Sequence, residues 1–155
     1  MAPATDDHLV AAQALHEQVL AHRPPETLVF TEGPRWNPTG AERPSYVPDV
    51  SVVDRRALRR ARGVYTLSPA PLLVVEVISP ESRRRDVGEK ADAYFAGGAL
   101  AYWTVDIPSL TGVPEPEVTL WRRGAAGWER TGPLHGMIAV NDPFDVRIDL
   151  HALVL

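Results

Sequence analysis

The sequence predicts an α/β fold with α+β character, in which helices flank a mixed central β-sheet. Residues 71–79, PLLVVEVIS, form an apolar run of strand length that is hydrophobic on both faces, as in a central strand covered on both sides. A helical segment separates this run from a second strand, AYWTVD at 101–106, and this spacing is typical of a crossover unit. The chain has 155 residues, and we expect one domain over residues 1–155.

The composition is that of a globular protein and excludes several classes. Hydrophobic residues make up 45% of the chain and the net charge is −4, which disfavours a strongly basic, non-specific nucleic-acid binder. The chain has no cysteine, so disulfides and thiolate metal sites are excluded. The opening residues, MAPATDDHL, lack the apolar core of a signal peptide, and no apolar run reaches the ~20 residues of a membrane helix. We therefore expect a cytoplasmic protein.

The first predicted element is a helix at residues 6–22. Asp6 or Asp7 can cap its first turn, and Pro24 follows its end. Apolar periodicity predicts a buried face made of Leu9, Ala12, Leu15, His16 and Val19.

Two strands and a short helix are predicted next. The strands span 27–33 and 46–54, and a loop rich in turn residues separates them at 35–45. Asp54 can cap a short helix over the arginine cluster RRALRRAR, which Gly63 would end.

Further helical and strand signals complete the sheet. A capping-box-like pattern at Asp86 predicts the start of a helix that runs to about Ala96. The segments 116–123 and 127–132 predict a hairpin, and 143–153 predicts a last strand or short helix.

A carboxylate interrupts the most apolar strand of the sequence. Glu76 lies within LLVVEVISP, where an unpaired buried charge would cost several kcal/mol or become protonated. Asp49 stands near the start of the preceding strand, so the two acids converge if the strands are neighbours. Converging carboxylates favour a cation between them, and oxygen ligands suit Mg²⁺ or Mn²⁺. A salt bridge from either acid to an arginine is the alternative that the spacing leaves open.

The single lysine of the chain lies close to these acids in the predicted topology. Lys90 falls in the first turn of the helix that follows the Glu76 strand, whereas all fifteen other basic residues are arginines. Its ammonium group could complete an acid–acid–lysine cluster at the end of that strand. The alternative is an exposed lysine that pairs with Asp86 or Glu89.

These residues carry a family resemblance. The stretch PDVSVVD … PLLVVEVISPESRRRDVGEKADAYFAGGALAYWTVD, residues 48–106, closely resembles the Uma-two family of restriction endonucleases, a branch of the PD-(D/E)XK nuclease superfamily. The closing segment NDPFDVRIDLHAL, residues 141–153, resembles the family weakly. The resemblance implies a restriction-endonuclease-like core, and its specificity comes from the combination of motifs, since any one of them alone would be weak.

The resemblance also implies a catalytic set. Asp49 and Glu76 correspond to the two motif acids, and Lys90 to a lysine displaced from the position that Ile78 occupies here. The implied activity is hydrolysis of DNA phosphodiester bonds with Mg²⁺ or Mn²⁺ held by the two acids and the backbone carbonyl of Val77. Lys90 would orient the attacking water or stabilise charge on the phosphoryl oxygens.

Several further residues are weaker candidates. Tyr94, one helical turn after Lys90, either lines the pocket or packs in the core, and Glu17 on the first helix is either an additional acid or solvated. The possible phosphate contacts are Arg83, Arg84, Arg85 and Arg59. The five histidines form no i, i+4 pair of the zinc type, so solvated or core positions are expected for them.

Two functions of different classes follow from the sequence. The first is a metal-dependent endonuclease acting on DNA; nucleases of the superfamily that the chain resembles are often dimeric, and a homodimer is suggested by that analogy alone. The second is a catalytically inactive nucleic-acid- or protein-binding module on the same fold, in which the acids and the lysine persist as a buried polar cluster.

Overall fold

The computed structural model describes residues 5–37, 46–60 and 70–155. The strands, in chain order, are β1 (Thr27–Thr31), β2 (Val50–Asp54), β3 (Leu73–Val77), β4 (Ala101–Asp106), β5 (Glu117–Arg123), β6 (Trp128–His135), β7 (Met137–Val140) and β8 (Val146–Asp149). The helices are α1 (Asp6–His22), α2 (Arg55–Arg60), α3 (Arg83–Val87), α4 (Glu89–Ala96) and α5 (Pro108–Thr111), with a final 3₁₀ turn at Leu150–Leu153.

The central sheet is mixed and has the strand order β1-β2-β3-β4-β5-β6. Strands β3 and β4 are parallel, and every other neighbouring pair is antiparallel. The parallel pair is joined through α3 and α4, as the predicted crossover requires. Strands β7 and β8 form a separate two-stranded sheet. The predicted fold class, a mixed sheet flanked by helices, is confirmed.

Each face of β3 packs against a different hydrophobic layer. Leu73, Val75 and Val77 belong to the core beneath α1, which also includes Leu15. Val74 belongs to a second core rich in aromatic rings, contributed in part by α4. Because side chains alternate along a strand, Glu76 lies on the same face as Val74. This arrangement explains why the strand is apolar on both faces, and it directs Glu76 toward α4.

The first helix has the predicted bounds but differs in two details. Its N-cap is Thr5, whose hydroxyl accepts a hydrogen bond from the backbone N–H of His8, so the expectation of Asp6 or Asp7 as the cap was wrong. Leu9 is 46% exposed and does not belong to the buried face, which consists of Ala11, Ala12, Leu15 and Val19. The buried face therefore includes Ala11, which was not predicted, and lacks Leu9, while His16 is half-buried.

The helical segment after β3 starts earlier than the sequence predicts and is interrupted. Asp86 does not cap a helix: it lies inside α3, whose N-cap is Ser82, and it is buried. The helix is then interrupted at Gly88, and α4 begins at Glu89. A β-carbon on Gly88 would lie 2.8 Å from the carbonyl oxygen of Arg84, so this close approach of backbone requires glycine.

Other predicted elements occur with altered bounds. Strand β2 begins at Val50 rather than at Tyr46, which instead forms an isolated bridge with Trp36. Asp54 caps α2, as predicted, by accepting a hydrogen bond from the N–H of Ala57 at 2.8 Å. The predicted hairpin is confirmed as β5 and β6, and the closing segment contains both a strand and a short helix.

Some expectations fall on parts of the chain that are not described. Gly63, the predicted end of the short helix, and most of the predicted loop at 35–45 lie outside the described residues. Within the described ranges, none of the helices is both long and apolar enough to cross a membrane.

Candidate active site

The two predicted acids lie on neighbouring strands, where β2 begins and β3 ends. The antiparallel register pairs Val50 with Val75, which places Asp49 opposite Glu76. The side chain of Asp49 extends the ladder, because its Oδ2 accepts a hydrogen bond from the backbone N–H of Val77 at 2.8 Å. Antiparallel pairing of β2 with β3 thus brings together two acids that are distant in the sequence.

Glu76 is almost completely enclosed, with 3% of its surface exposed. Its Oε1 accepts a hydrogen bond from the hydroxyl of Tyr94 at 2.7 Å and lies 3.4 Å from the Nζ of Lys90. Burial and the neighbouring charge of Asp49 raise the pKa of Glu76 to about 8, against the opposing effect of Lys90. The sequence also allowed a salt bridge from Glu76 to an arginine. In the described contacts of Glu76, the cation is instead Lys90.

Lys90 lies between two carboxylates. Its Nζ is 2.9 Å from Oδ1 of Asp86 and 3.4 Å from Oε1 of Glu76. Burial lowers the pKa of Lys90, but the two acids outweigh this effect and the net pKa is raised. The sequence allowed an exposed pair with Asp86; the pair exists, but only 15% of the lysine side chain is exposed. The lysine is therefore part of the acid cluster rather than of the solvated helix surface.

Asp86 was missed as a site residue because the sequence pattern favoured a helix cap. It is 1% exposed, and its Oδ2 accepts a hydrogen bond from the hydroxyl of Ser82. Its backbone carbonyl accepts a hydrogen bond from the hydroxyl of Tyr102 at 2.9 Å. The Asp–Lys spacing of four residues was a signal for the ion pair, but nothing local to the sequence indicated that the pair is buried.

A second missed residue is His8, on the first turn of α1. Its Nε2 lies 3.2 Å from Oδ2 of Asp49. The hydrogen bond to Asp49 raises the pKa of His8, although burial acts in the opposite direction. The two residues are far apart in the sequence and only the packing of α1 against the sheet brings them together. A search for closely spaced histidine pairs could not have found this contact.

Tyr94 packs in the core, which was one of the two alternatives that the sequence left open. It is fully buried, and its ring stacks on Trp36 with centroids 5.2 Å apart, within the aromatic core. Its hydroxyl nevertheless reaches Glu76. Burial, followed by the charge of Glu76, raises the pKa of Tyr94 well above 10. Tyr94 is therefore a neutral phenol whose hydroxyl donates a hydrogen bond to Glu76.

Glu17 is not brought to the acid cluster by any described contact. It is exposed on α1 and accepts a hydrogen bond from Gln13 at 3.2 Å. It follows His8 by nine residues, which corresponds to about 13 Å along a helix axis. The structure thus favours the solvated alternative for this side chain.

The four candidate arginines fall into two groups. Three of them lie on α3, the helix that carries Asp86: Arg83, Arg84 and Arg85. Arg83 also forms an ion pair with Asp106. Arg59 lies on α2, at the opposite end of β2 from Asp49, and five strand residues correspond to about 16 Å. The α3 arginines are therefore nearer to the acid cluster than Arg59 is.

Comparison with known families places the chain clearly. The model of the Uma2 family, described as "Putative restriction endonuclease", matches residues 1–150. The chain belongs to the Uma2 family. Among solved structures, this Uma2 protein is similar to the crystal structure of a "putative nuclease belonging to DUF820" from Anabaena variabilis ATCC 29413. The identity is 19%, the TM-score is 0.68, and the match covers 99% of this chain and 85% of the other, which establishes a shared fold. A comparison with curated proteins gave no match.

Two carboxylates of this Uma2 protein have the chemistry that a hard divalent cation would require. Among the described residues, no group of three or more histidine, aspartate or glutamate side chains could hold a metal. A Mg²⁺ ion, however, typically takes only one or two protein carboxylates and retains waters. Asp49 and Glu76 supply two, and the contacts described for them use one oxygen of each. The pair therefore suits Mg²⁺ or Mn²⁺ better than Zn²⁺, which prefers nitrogen and sulfur ligands.

Proposed function

We propose that this Uma2 protein is a divalent-metal-dependent endonuclease that hydrolyses phosphodiester bonds of DNA. The observation that carries the proposal is the convergence of Asp49, Glu76 and Lys90 at one end of the β2–β3 pair. Two acids can hold a metal ion for phosphodiester hydrolysis, and a lysine can stabilise the negative charge that develops on the phosphoryl oxygens. The family and the nuclease-like fold support a nuclease role for the chain.

The two acids would hold the metal. A bound Mg²⁺ or Mn²⁺ supplies a water of lowered pKa and polarises the phosphoryl oxygen. The N–H and the carbonyl of one strand residue point to the same side, so the carbonyl of Val77 is expected on the side where its N–H contacts Asp49. This orientation supports Val77 as a third oxygen donor.

Lys90 would act on the reacting phosphate. Its ammonium group is fixed by Asp86 and Glu76 rather than extended into solvent, so little reorganisation is needed when negative charge develops nearby. Such a fixed cation can orient the attacking water or stabilise the phosphoryl oxygens. Tyr94 and His8 would hold Glu76 and Asp49, respectively, in their orientations.

The second candidate function is a catalytically inactive binding module. The enclosure of Glu76, with 3% of its surface exposed, is the observation that favours it. In that case Lys90 and Tyr94 would satisfy a polar cluster that never receives a metal. The two candidates differ in one property that can be measured directly, namely divalent-metal binding at Asp49 and Glu76.

Calorimetric titration of Mg²⁺ and of Mn²⁺ tests the proposal. We expect the wild type to bind either metal and expect Glu76→Gln and Asp49→Asn to lose this binding while remaining folded. Glu81→Gln is the matched control, because Glu81 is an exposed acid five residues further along the chain. Cleavage of supercoiled plasmid by the wild type, but not by the two site variants, would complete the test. A wild type that neither binds metal nor cleaves any nucleic acid would favour the binding module.

A further inference from the structure

We infer that Asp86 is the positioning residue of Lys90, holding the lysine ammonium in the site while the neighbouring acids bind a metal. The inference rests on the proposed function. It concerns a residue that acts through Lys90 rather than one that contacts the substrate.

Asp86 and Lys90 lie on either side of the helix interruption, and their ion pair faces the interior. In a continuous surface helix, an i, i+4 ion pair lies along the solvated face. Here Asp86 lies in the last turn of α3 and Lys90 in the first turn of α4. The aspartate is 1% exposed and the lysine side chain 15% exposed. The pair is therefore an interior feature of the fold.

Asp86 is held more firmly than the ion pair alone would require. Ser82 donates a hydrogen bond to Oδ2, which leaves Oδ1 for Lys90 at 2.9 Å. The hydroxyl of Tyr102 fixes the backbone carbonyl of Asp86 from the sheet side. The carboxylate thus has a defined orientation, and the ammonium position follows from it.

The distances around Lys90 favour Asp86, rather than Glu76, as the acid that retains the ammonium group. The ammonium lies closer to Asp86, at 2.9 Å, than to Glu76, at 3.4 Å. A divalent cation on Glu76 would repel the ammonium and compete for the charge of that carboxylate. Asp86 is not shared with the proposed metal, so it remains available to retain Lys90. Stability alone is a poor explanation, because buried ion pairs often contribute little net stability.

The unique lysine makes the inference measurable without any enzymatic activity. Because Lys90 is the only lysine, protein labelled with ¹³C,¹⁵N-lysine gives a single side-chain spin system. We expect slow ammonium exchange and distinct ε-proton shifts in the wild type, and fast exchange with averaged shifts in Asp86→Asn. Asp92→Asn makes the same chemical change at an exposed position of α4 and is expected to leave the lysine signals unchanged.

A second variant protects the test against misfolding. If Asp86→Asn does not fold, Ser82→Ala removes the hydroxyl that orients Asp86 and is expected to mobilise Lys90 to a smaller extent. A lysine spectrum that is unchanged in the folded Asp86→Asn variant, or in Ser82→Ala where only that variant folds, would overturn the inference.

Kinetics then separate positioning from general structure. In a single-turnover plasmid-cleavage assay we expect Asp86→Asn to lower the rate at saturating metal by about tenfold or more, with metal affinity changed less than about threefold. In a Lys90→Met background the same substitution should have little further effect, since its influence passes through Lys90. Independent, multiplicative effects of the two substitutions would contradict the inference. A wild type without cleavage would count against the proposed function, and the lysine spectrum would still decide the role of Asp86.

Discussion

The backbone N–H of Val77 donates its hydrogen bond to the side chain of Asp49, at 2.8 Å, rather than to a backbone carbonyl of β2. Asp49, which directly precedes β2, thus provides the hydrogen-bond acceptor for the last residue of β3. The same carboxylate is held from the helix side by His8. Asp49 therefore has two roles: its side chain completes the hydrogen bonding between β2 and β3, and it is a candidate metal ligand.

The contact between Asp49 and Val77 should contribute measurably to stability. Asp49→Ala and Asp49→Asn both remove the charge, but only the asparagine retains an oxygen that can accept the Val77 hydrogen bond. We expect the alanine variant to be less stable than the asparagine variant by about 1–3 kcal/mol, the cost of a buried donor left unsatisfied. Urea unfolding in the presence of a chelator measures the difference. Equal unfolding free energies would show that the contact contributes nothing.

His8 should influence metal binding through Asp49. Partners of metal-binding side chains typically contribute 10–100-fold to metal affinity, so we expect His8→Ala to weaken Mn²⁺ binding by about tenfold. Titration calorimetry provides the measurement. His22→Ala is the matched control, because His22 is an exposed histidine at the other end of the same helix. An affinity equal in both variants would place His8 outside the metal site.

Tyr94 should contribute to the site through its hydroxyl and to the core through its ring. Tyr94→Phe retains the stacking on Trp36 but removes the hydrogen bond to Glu76. We expect a metal affinity reduced by about tenfold, because Glu76 loses the contact that orients it. Tyr46→Phe removes a hydroxyl that donates to Glu89 in the same aromatic core, and it should leave the affinity unchanged. A reduction of similar size in both variants would indicate a general effect of the core.

Gly88 should be required for the break between α3 and α4. A β-carbon at this position would meet the carbonyl oxygen of Arg84 at 2.8 Å, so Gly88→Ala must displace backbone. We expect a loss of about 1–3 kcal/mol in the free energy of unfolding, as for other overpacked positions. Gly127→Ala is the control, since nothing lies within 4 Å of the point that a β-carbon on Gly127 would occupy. Similar unfolding curves for the two variants would contradict the prediction.

The arginines of α3 and α2 should differ in their effect on DNA binding. Arg84 lies on the helix that carries Asp86, whereas Arg59 lies at the far end of β2. We expect Arg84→Ala to weaken binding of duplex DNA and to reduce the slope of log affinity against log salt by about 1, the value for one phosphate contact. Fluorescence anisotropy at several salt concentrations measures both quantities. A larger effect of Arg59→Ala would place the DNA on the opposite end of the sheet.

The sequence was sufficient where the signal is local. The bounds of α1 follow from helical periodicity, and the strands around Glu76 and Trp103 follow from short, mainly apolar runs of strand length. The neighbouring positions of Asp49 and Glu76 could be expected because antiparallel pairing joins the start of one strand to the end of the next. The family resemblance pointed to the displaced position of Lys90.

The sequence was insufficient where the environment of a residue is tertiary. Asp86 has the spacing of a helix cap, yet the cap is Ser82 and the aspartate turns inward. His8 contacts Asp49 only because α1 packs across the sheet. Leu9 has the helical periodicity of a buried residue but is exposed in the structure. Strand β7 was not predicted, since a run of four apolar residues is too short to indicate a strand.

The two acids belong to different portions of the chain, because β2 and β3 follow one another in the sequence. Asp49 belongs with α1, β1, β2 and α2, whereas Glu76 and Lys90 belong with everything from β3 onward. Separate polypeptides covering residues 1–60 and 70–155 would each contain one acid, and the pair would form only when β2 adds to the edge of β3. The protein thus offers a natural division for fragment complementation, in which recovery of metal binding would report the association of two fused partners.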